Sequence, residues 1–167
     1  MTHIIERHSI ENDFALKTSA VPCFNAGEEV SVAENQVSIP TTYKYVKAAS
    51  ALTAFQPYVL VNNADGITTA SPATSTVGKI IGIPQIDIAA GSYGFVAIGG
   101  LCKAKTGIQA KGDTLEVLNS GTTLVVDGSS GSPAETAGTV AISCETATSA
   151  KTVTVNLLNK RVTIAAS

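Results

Sequence analysis

The chain has 167 residues, 14% of them charged, and Lys+Arg 11 against Asp+Glu 13 leave a formal charge of -2. An average soluble domain is about 25% charged, so this surface is weakly charged, with no basic excess for nucleic acid and no acidic tail. Surface scaling lets a chain of this size bury roughly two thirds of its unfolded area, enough for a core without disulfide or metal staples.

The first twenty residues differ from the rest. Glu6, Arg7, Glu11, Asp13 and Lys17 are interspersed with Ile4, Ile5, Ile10, Phe14 and Leu16 at spacings that fit neither helix nor strand. Residues 1–20 therefore read as an extended N-terminal arm that gains structure by docking, and residues 21–167 as a single β domain. The arm's five apolar side chains are the first candidate interface residues.

From Val21 onward the pattern is that of short strands and turns. Tyr43-Lys-Tyr-Val46 reads as a strand, followed by a loop to Phe55. Pro57 to Asn62 and Ile67 to Ala70 flank Asn63-Ala-Asp-Gly66 and read as a hairpin. Ile86 and Ile88 share a face, Pro84 marks a bend or an edge, and Tyr93 to Ile98 is apolar on both faces, as in a central strand covered twice. Thr114 to Leu118 and Thr122 to Asp127 form a second hairpin around Asn119-Ser-Gly121, with Gly121 expected in a left-handed conformation. Thr139 to Cys144 is expected to point Val140, Ile142 and Cys144 inward. In Thr152 to Leu157 the inward residues are Val153, Val155 and Leu157, and after a turn at Asn159-Lys160 the strand Arg161 to Ile164 rejoins the core. The fold class is all-β: a compact antiparallel β-barrel or sandwich of eight to ten short strands with an N-terminal arm.

Catalytic residue types are scarce. His3 and His8 both lie in the arm, and there is no HExxH, no Cys/His cluster, no GxSxG and no phosphate-cradling glycine motif. Glu28-Glu29 would point to opposite strand faces, and Asp87, Asp113, Glu116 and Asp127 read as outward or turn residues. Trp is absent and Tyr numbers 4, which removes the stacking platform that sugar-binding sites use. No catalytic residue, metal or cofactor is expected. Lys103 and Lys105, two apart on one strand face, are the second candidate interface, for an acidic partner surface; alternatively they protect an edge strand.

Cys23, Cys102 and Cys144 form no CxxC and would leave one thiol over after internal pairing. The start Met-Thr-His-Ile-Ile-Glu-Arg-His8 is unlike a signal peptide, and no apolar run approaches the ~20 residues that span a bilayer. A reducing cytosol at synthesis, no membrane partner and thiols buried as small hydrophobes are the corresponding expectations.

Gly78-Lys-Ile-Ile-Gly-Ile83, Ile88 to Leu101 with its Gly99-Gly100, Lys111-Gly-Asp-Thr-Leu115, Ala137-Gly-Thr-Val-Ala-Ile142, Glu145-Thr-Ala-Thr148 and Val153-Thr-Val-Asn-Leu157 carry a resemblance. In turn glycines, small residues and strand order, residues 40–165 resemble the capsid decoration (cement) proteins of tailed bacteriophages. The resemblance implies a homotrimer on the outside of the virion head, clamping major capsid protein subunits after synthesis in the host cytoplasm, with a terminal arm that docks on the shell. The alternative is a trimeric β-rich receptor-binding or tail-fibre tip domain that recognises a host surface.

Overall fold

The computed structural model describes residues 2–4, 16–33, 39–64, 66–70, 80–118, 121–127 and 139–159. They form eleven strands, β1 (Thr2–Ile4), β2 (Glu29–Val32), β3 (Thr41–Lys47), β4 (Tyr58–Asn63), β5 (Gly66–Ala70), β6 (Ile81–Pro84), β7 (Tyr93–Thr106), β8 (Thr114–Val117), β9 (Leu124–Val126), β10 (Ala141–Ser143) and β11 (Lys151–Leu158). The class is all-β, with more strands than the eight to ten expected.

All eleven belong to one sheet, ordered β1-β2-β3-β5-β4-β6-β7-β11-β10-β8-β9, with further pairings of β3 and β9 to β7. Those two pairings close the sheet twice. One circuit runs β3-β5-β4-β6-β7 and the other β7-β11-β10-β8-β9. Each closure includes a parallel contact in an otherwise antiparallel circuit: Lys47 beside Thr68 in the first, Thr106 beside Leu124 in the second. Closing a sheet removes the exposed hydrogen-bonding edges that invite pairing with other chains.

The apolar alternation explains the two larger cores. Val96 and Ile98 of β7, Val46 of β3, and Tyr58 and Leu60 of β4 pack together with Ala48, Leu52 and Ile88. Cys102 and Ala104 of the same β7 face Val153, Val155 and Leu157 of β11, Leu115 and Val117 of β8, Leu124 of β9 and Ala141 of β10. Val59, Ile81, Ile83 and Ala97 from the first circuit join this second core. Each such Val, Leu or Ile removed from water contributes about 1.5–3 kcal/mol before ordering costs.

β7 can serve both circuits because it changes direction in the middle. Opposite β3, Thr42 pairs with Gly99 and Tyr43 with Ala97, so Ile98 is an extra residue, a β-bulge. Gly100 follows at φ +79, where a Cβ would lie 1.8 Å from the Pro40 carbonyl oxygen. Beyond it, β7 pairs with β11 from Gly99↔Leu158 to Thr106↔Lys151. The Thr41 hydroxyl donates to the Leu101 carbonyl and ties the start of β3 to the far side of the bend.

Both expected hairpins form, as β4–β5 and β8–β9. Tyr93 to Ile98 is the start of the central strand, and β11 buries Val153, Val155 and Leu157. Pro84 ends β6, and the following Gln85 and Ile86 are a bend rather than strand. Two readings need correction. Gly121 does not adopt the left-handed conformation; its N–H bonds the Leu118 carbonyl at 2.9 Å, and a Cβ would sit 2.9 Å from that oxygen. Over Val140 to Cys144, Val140 is buried as expected, but Ala141 and Ser143 are the next buried residues, while Ile142 and Cys144 are half-buried. Ala141 lies between Leu115 and Leu157 of the neighbouring strands, and two inward leucines leave room only for a small residue. The strand expected over Arg161 to Ile164 lies outside the described residues.

The bend yields a test. Gly100→Ala introduces both a positive φ and a backbone clash, whereas Gly112, at φ +93, has nothing within 4 Å of its missing Cβ. Urea unfolding should show G112A losing about 1–2 kcal/mol, the left-handed cost alone, and G100A losing about 3 kcal/mol or more.

Candidate docking surface

The N-terminal segment is built onto the domain in two places. β1 adds to the outer edge of β2 in parallel, with Thr2↔Glu29, His3↔Val30 and Ile4↔Ser31 as register pairs. Farther along, Ser19 bridges Tyr93 at the start of β7, its N–H and carbonyl bonded to Tyr93 at 3.0 and 2.8 Å. Phe24 then stands edge-on against Tyr45 and Phe95, with ring centroids 5.3 and 5.4 Å away. Tyr45 also stacks on Tyr93 at 5.9 Å and accepts the Cys23 N–H at its hydroxyl. Burial raises the Tyr45 pKa above the ordinary tyrosine value. The Gly27 N–H donates to the Tyr45 carbonyl at 2.7 Å, and the chain enters β2.

This aromatic nest fixes the root of the arm at Ser19–Phe24. Of the arm's apolar residues, Ile4 belongs to β1, Leu16 is 41% exposed, and Ile5, Ile10 and Phe14 lie outside the described residues, as does His8. The exposed apolar residues Val21, Ile39 and Ile108 were not singled out by sequence reasoning. Lone apolar residues beside turns carry no periodic signal that would have found them.

The strand edge at Lys103 and Lys105 is covered by other groups of the chain rather than guarded by the lysines alone. β11 covers one side of their strand. On the other side, the Gln85 side-chain amide donates to the Lys103 carbonyl at 3.1 Å and accepts its N–H at 3.0 Å, standing in for a neighbouring strand. The Phe55 carbonyl accepts the Lys105 N–H at 2.7 Å. The Lys103 ammonium donates to Glu145 at 3.2 Å and to the Thr154 hydroxyl at 2.7 Å. Its charge is thus engaged within the chain, while Lys105 is half-buried.

Asp87, Asp113 and Asp127 hold turns and loops, accepting from the Ala54 N–H, the Ala110 N–H and the Thr139 hydroxyl. Glu116 is different: it is fully buried, not outward-facing, because both faces of β8 are covered. Cys102 is buried as expected, and desolvation pushes its thiol up to about 12, with Cys144 acting in the same direction. Cys23 is exposed, contrary to the buried-thiol expectation, because it sits on the segment laid over the outer face. Among the described residues, no three His, Cys, Asp or Glu side chains come together as a metal site, and no helix is long and apolar enough to cross a membrane.

No protein-family model and no curated protein matches the chain. Among solved structures, the chain is similar to the N base of the head fiber gp8.5 of bacteriophage phi29, at 17% identity and a TM-score of 0.49, covering 72% of this chain and 97% of that one.

Glu145 gives this surface a pH signature. Hydrogen bonds from Thr154, through its hydroxyl and backbone N–H, and then from Lys103 lower its pKa from 4.5 to about 2. A carboxylate depressed on folding stabilises the native state above its unfolded pKa, and that contribution disappears as pH falls through the folded value. The melting-temperature difference between wild type and Glu145→Gln should therefore hold above pH 4.5 and close as pH approaches about 2. A difference unchanged across that window would mean that the ionised carboxylate contributes nothing.

Proposed function

We propose that this protein is a capsid decoration (cement) protein: a non-catalytic homotrimer that binds the outer surface of a phage head and stabilises contacts between major capsid protein subunits. No cofactor, nucleic acid or membrane takes part in this reading. The observation that supports it most is the arrangement of the N-terminal segment, rooted at Ser19–Phe24 and carrying the exposed Leu16 outside both cores. A closed β framework suits a part that must stay rigid while its arm makes the contacts. The resemblance of residues 40–165 to the decoration family supplies the partner.

Weak contacts repeated around a symmetry axis add up, so each arm need not bind tightly by itself. Burying an arm side chain such as Leu16 contributes about 1.5–3 kcal/mol before the cost of ordering the segment. The 44% hydrophobic composition and low charge suit close packing between copies without burying unpaired charges.

The test uses purified protein, expanded capsids lacking decoration, and host cells. Light scattering should give three times 17.0 kDa, and co-sedimentation should show saturable binding to capsids. Deleting residues 2–18 removes β1 from the β2 edge but keeps both circuits, the Ser19 bridge and the Phe24 nest, so the domain should stay folded with a modestly lowered thermal transition. A net loss of about 3 kcal/mol per arm would weaken capsid binding by more than a hundredfold. Equal saturation by truncated and full chains would transfer docking to the β domain, with Lys105 the next residue to test. Binding to host cells but not to capsids would favour the tail-fibre tip instead.

A further inference from the structure

β1 occupies a special place in the sheet. Among the described residues it ends the strand order and pairs with β2 alone, whereas every strand from β3 to β9 in that order is tied into the two circuits. Releasing Thr2–Ile4 breaks neither circuit. The bonds that β2 offers along Glu29–Ser31 are main-chain bonds, and a parallel strand of the same sequence satisfies them whichever molecule supplies it.

The direction of β1 bears on which molecule that is. β2 runs antiparallel to β3, from Glu29 opposite Lys44 to Val32 opposite Thr41. β1 runs with β2, so the chain leaves Ile4 heading away from the Lys47 end of β3. It rejoins its own sheet at Ser19, beside Tyr93, which pairs with Lys47. Ile4 is level with Thr42 through Ser31, and Ser19 with Lys47 through Tyr93, so within one copy Ser19 lies about 17 Å back along the sheet, opposite to the direction in which β1 leaves. From Ile4 to Ser19 the chain can span up to about 50 Å, more than the ~40 Å diameter of a compact domain of this length. A neighbouring copy lying beyond the Thr41 end of β3 would accept the departing strand without that return.

We propose that in the assembled protein the β2 edge is filled by Thr2–Ile4 of a neighbouring copy, so that N-terminal strands are exchanged around the oligomer. This rests on the homotrimer of the proposed function, and exchange around a three-fold axis gives every copy one donated and one accepted strand. Residues 5–18 then pass from one copy to the next.

Cross-linking at the Ile4–Ser31 register pair tests the exchange. The variant carries Ile4→Cys and Ser31→Cys, with Cys23→Ser to remove the exposed native thiol. Adjacent paired strands bring Cα atoms within disulfide range. After mild oxidation of dilute protein, a non-reducing denaturing gel should show most of the protein as covalent pairs and triples of chains, which Ser31→Cys alone does not give. A cross-link confined within single chains overturns the exchange, as does the absence of any cross-link. Light scattering of the same sample before oxidation separates the two ideas. A trimer with internal cross-links removes only the exchange, whereas a monomer removes the trimer itself. As a second measurement, chains carrying only Ile4→Cys are refolded together with size-tagged chains carrying only Ser31→Cys, both in the Cys23→Ser background. The exchange requires a mixed covalent dimer, and its absence counts against the proposal.

Discussion

The structure depends on one strand having two sets of neighbours. β7 starts between β3 and β6 and continues beside β11, and the change occurs where Ile98 bulges and Gly100 turns to positive φ against the Pro40 carbonyl. A straight strand would have to continue the first circuit's pairing. The bend instead leaves backbone groups of β7 without a strand beside them, and the sequence meets that need locally. Gln85 supplies a side-chain amide to Lys103, and Phe55 turns its carbonyl to Lys105. Phe55 does so at φ +67, a conformation that costs a bulky residue about 1–3 kcal/mol. Its N–H bond to the Pro84 carbonyl, at 2.8 Å, helps hold it there.

What was legible in the sequence was whatever local alternation encodes. Val153, Val155 and Leu157 reported their own face, and Tyr93 to Ile98, apolar on both sides, reported a strand covered twice. What was hidden depends on neighbours distant in sequence. Ala141 points inward because Leu115 and Leu157 flank it, which no pattern within Thr139 to Cys144 contains. Lys103 and Lys105 carry the mark of an edge strand, yet a glutamine side chain and a loop carbonyl cover that edge. Gln109 bonds Thr106 and Ser143 inside the fold, a buried polar group of three that looks like ordinary loop composition. The candidate site was legible in the same partial way: the arm's apolar residues were visible, but the aromatic nest that roots it needs Phe24, Tyr45, Tyr93 and Phe95 in space.

The circuits and the N-terminal segment divide the work differently. Closure satisfies backbone groups within the chain, so the framework offers neighbours few main-chain bonds. β2 is the exception, because its pairing with β3 leaves its other side to β1. A protein crowded beside copies of itself is safer with one short strand site than with a long apolar edge. Three residues are enough to set a register and too few to template extended aggregation.

The proposed strand exchange and the proposed capsid docking would draw on different parts of the same segment. Thr2–Ile4 lies on a β2 edge and Ser19 on β7, so the segment has a fixed point at each end whichever copy supplies that edge. A segment fixed at both ends loses less conformational freedom on binding than a free tail, because its ends are already held before it binds. In the proposed docking, Ile5, Ile10, Phe14 and Leu16 are the apolar residues that would meet the shell. Docking strength would then follow trimer integrity. A lesion in the aromatic nest, at Phe24 for instance, would loosen one end of every such segment at once, far from any residue that touches the capsid.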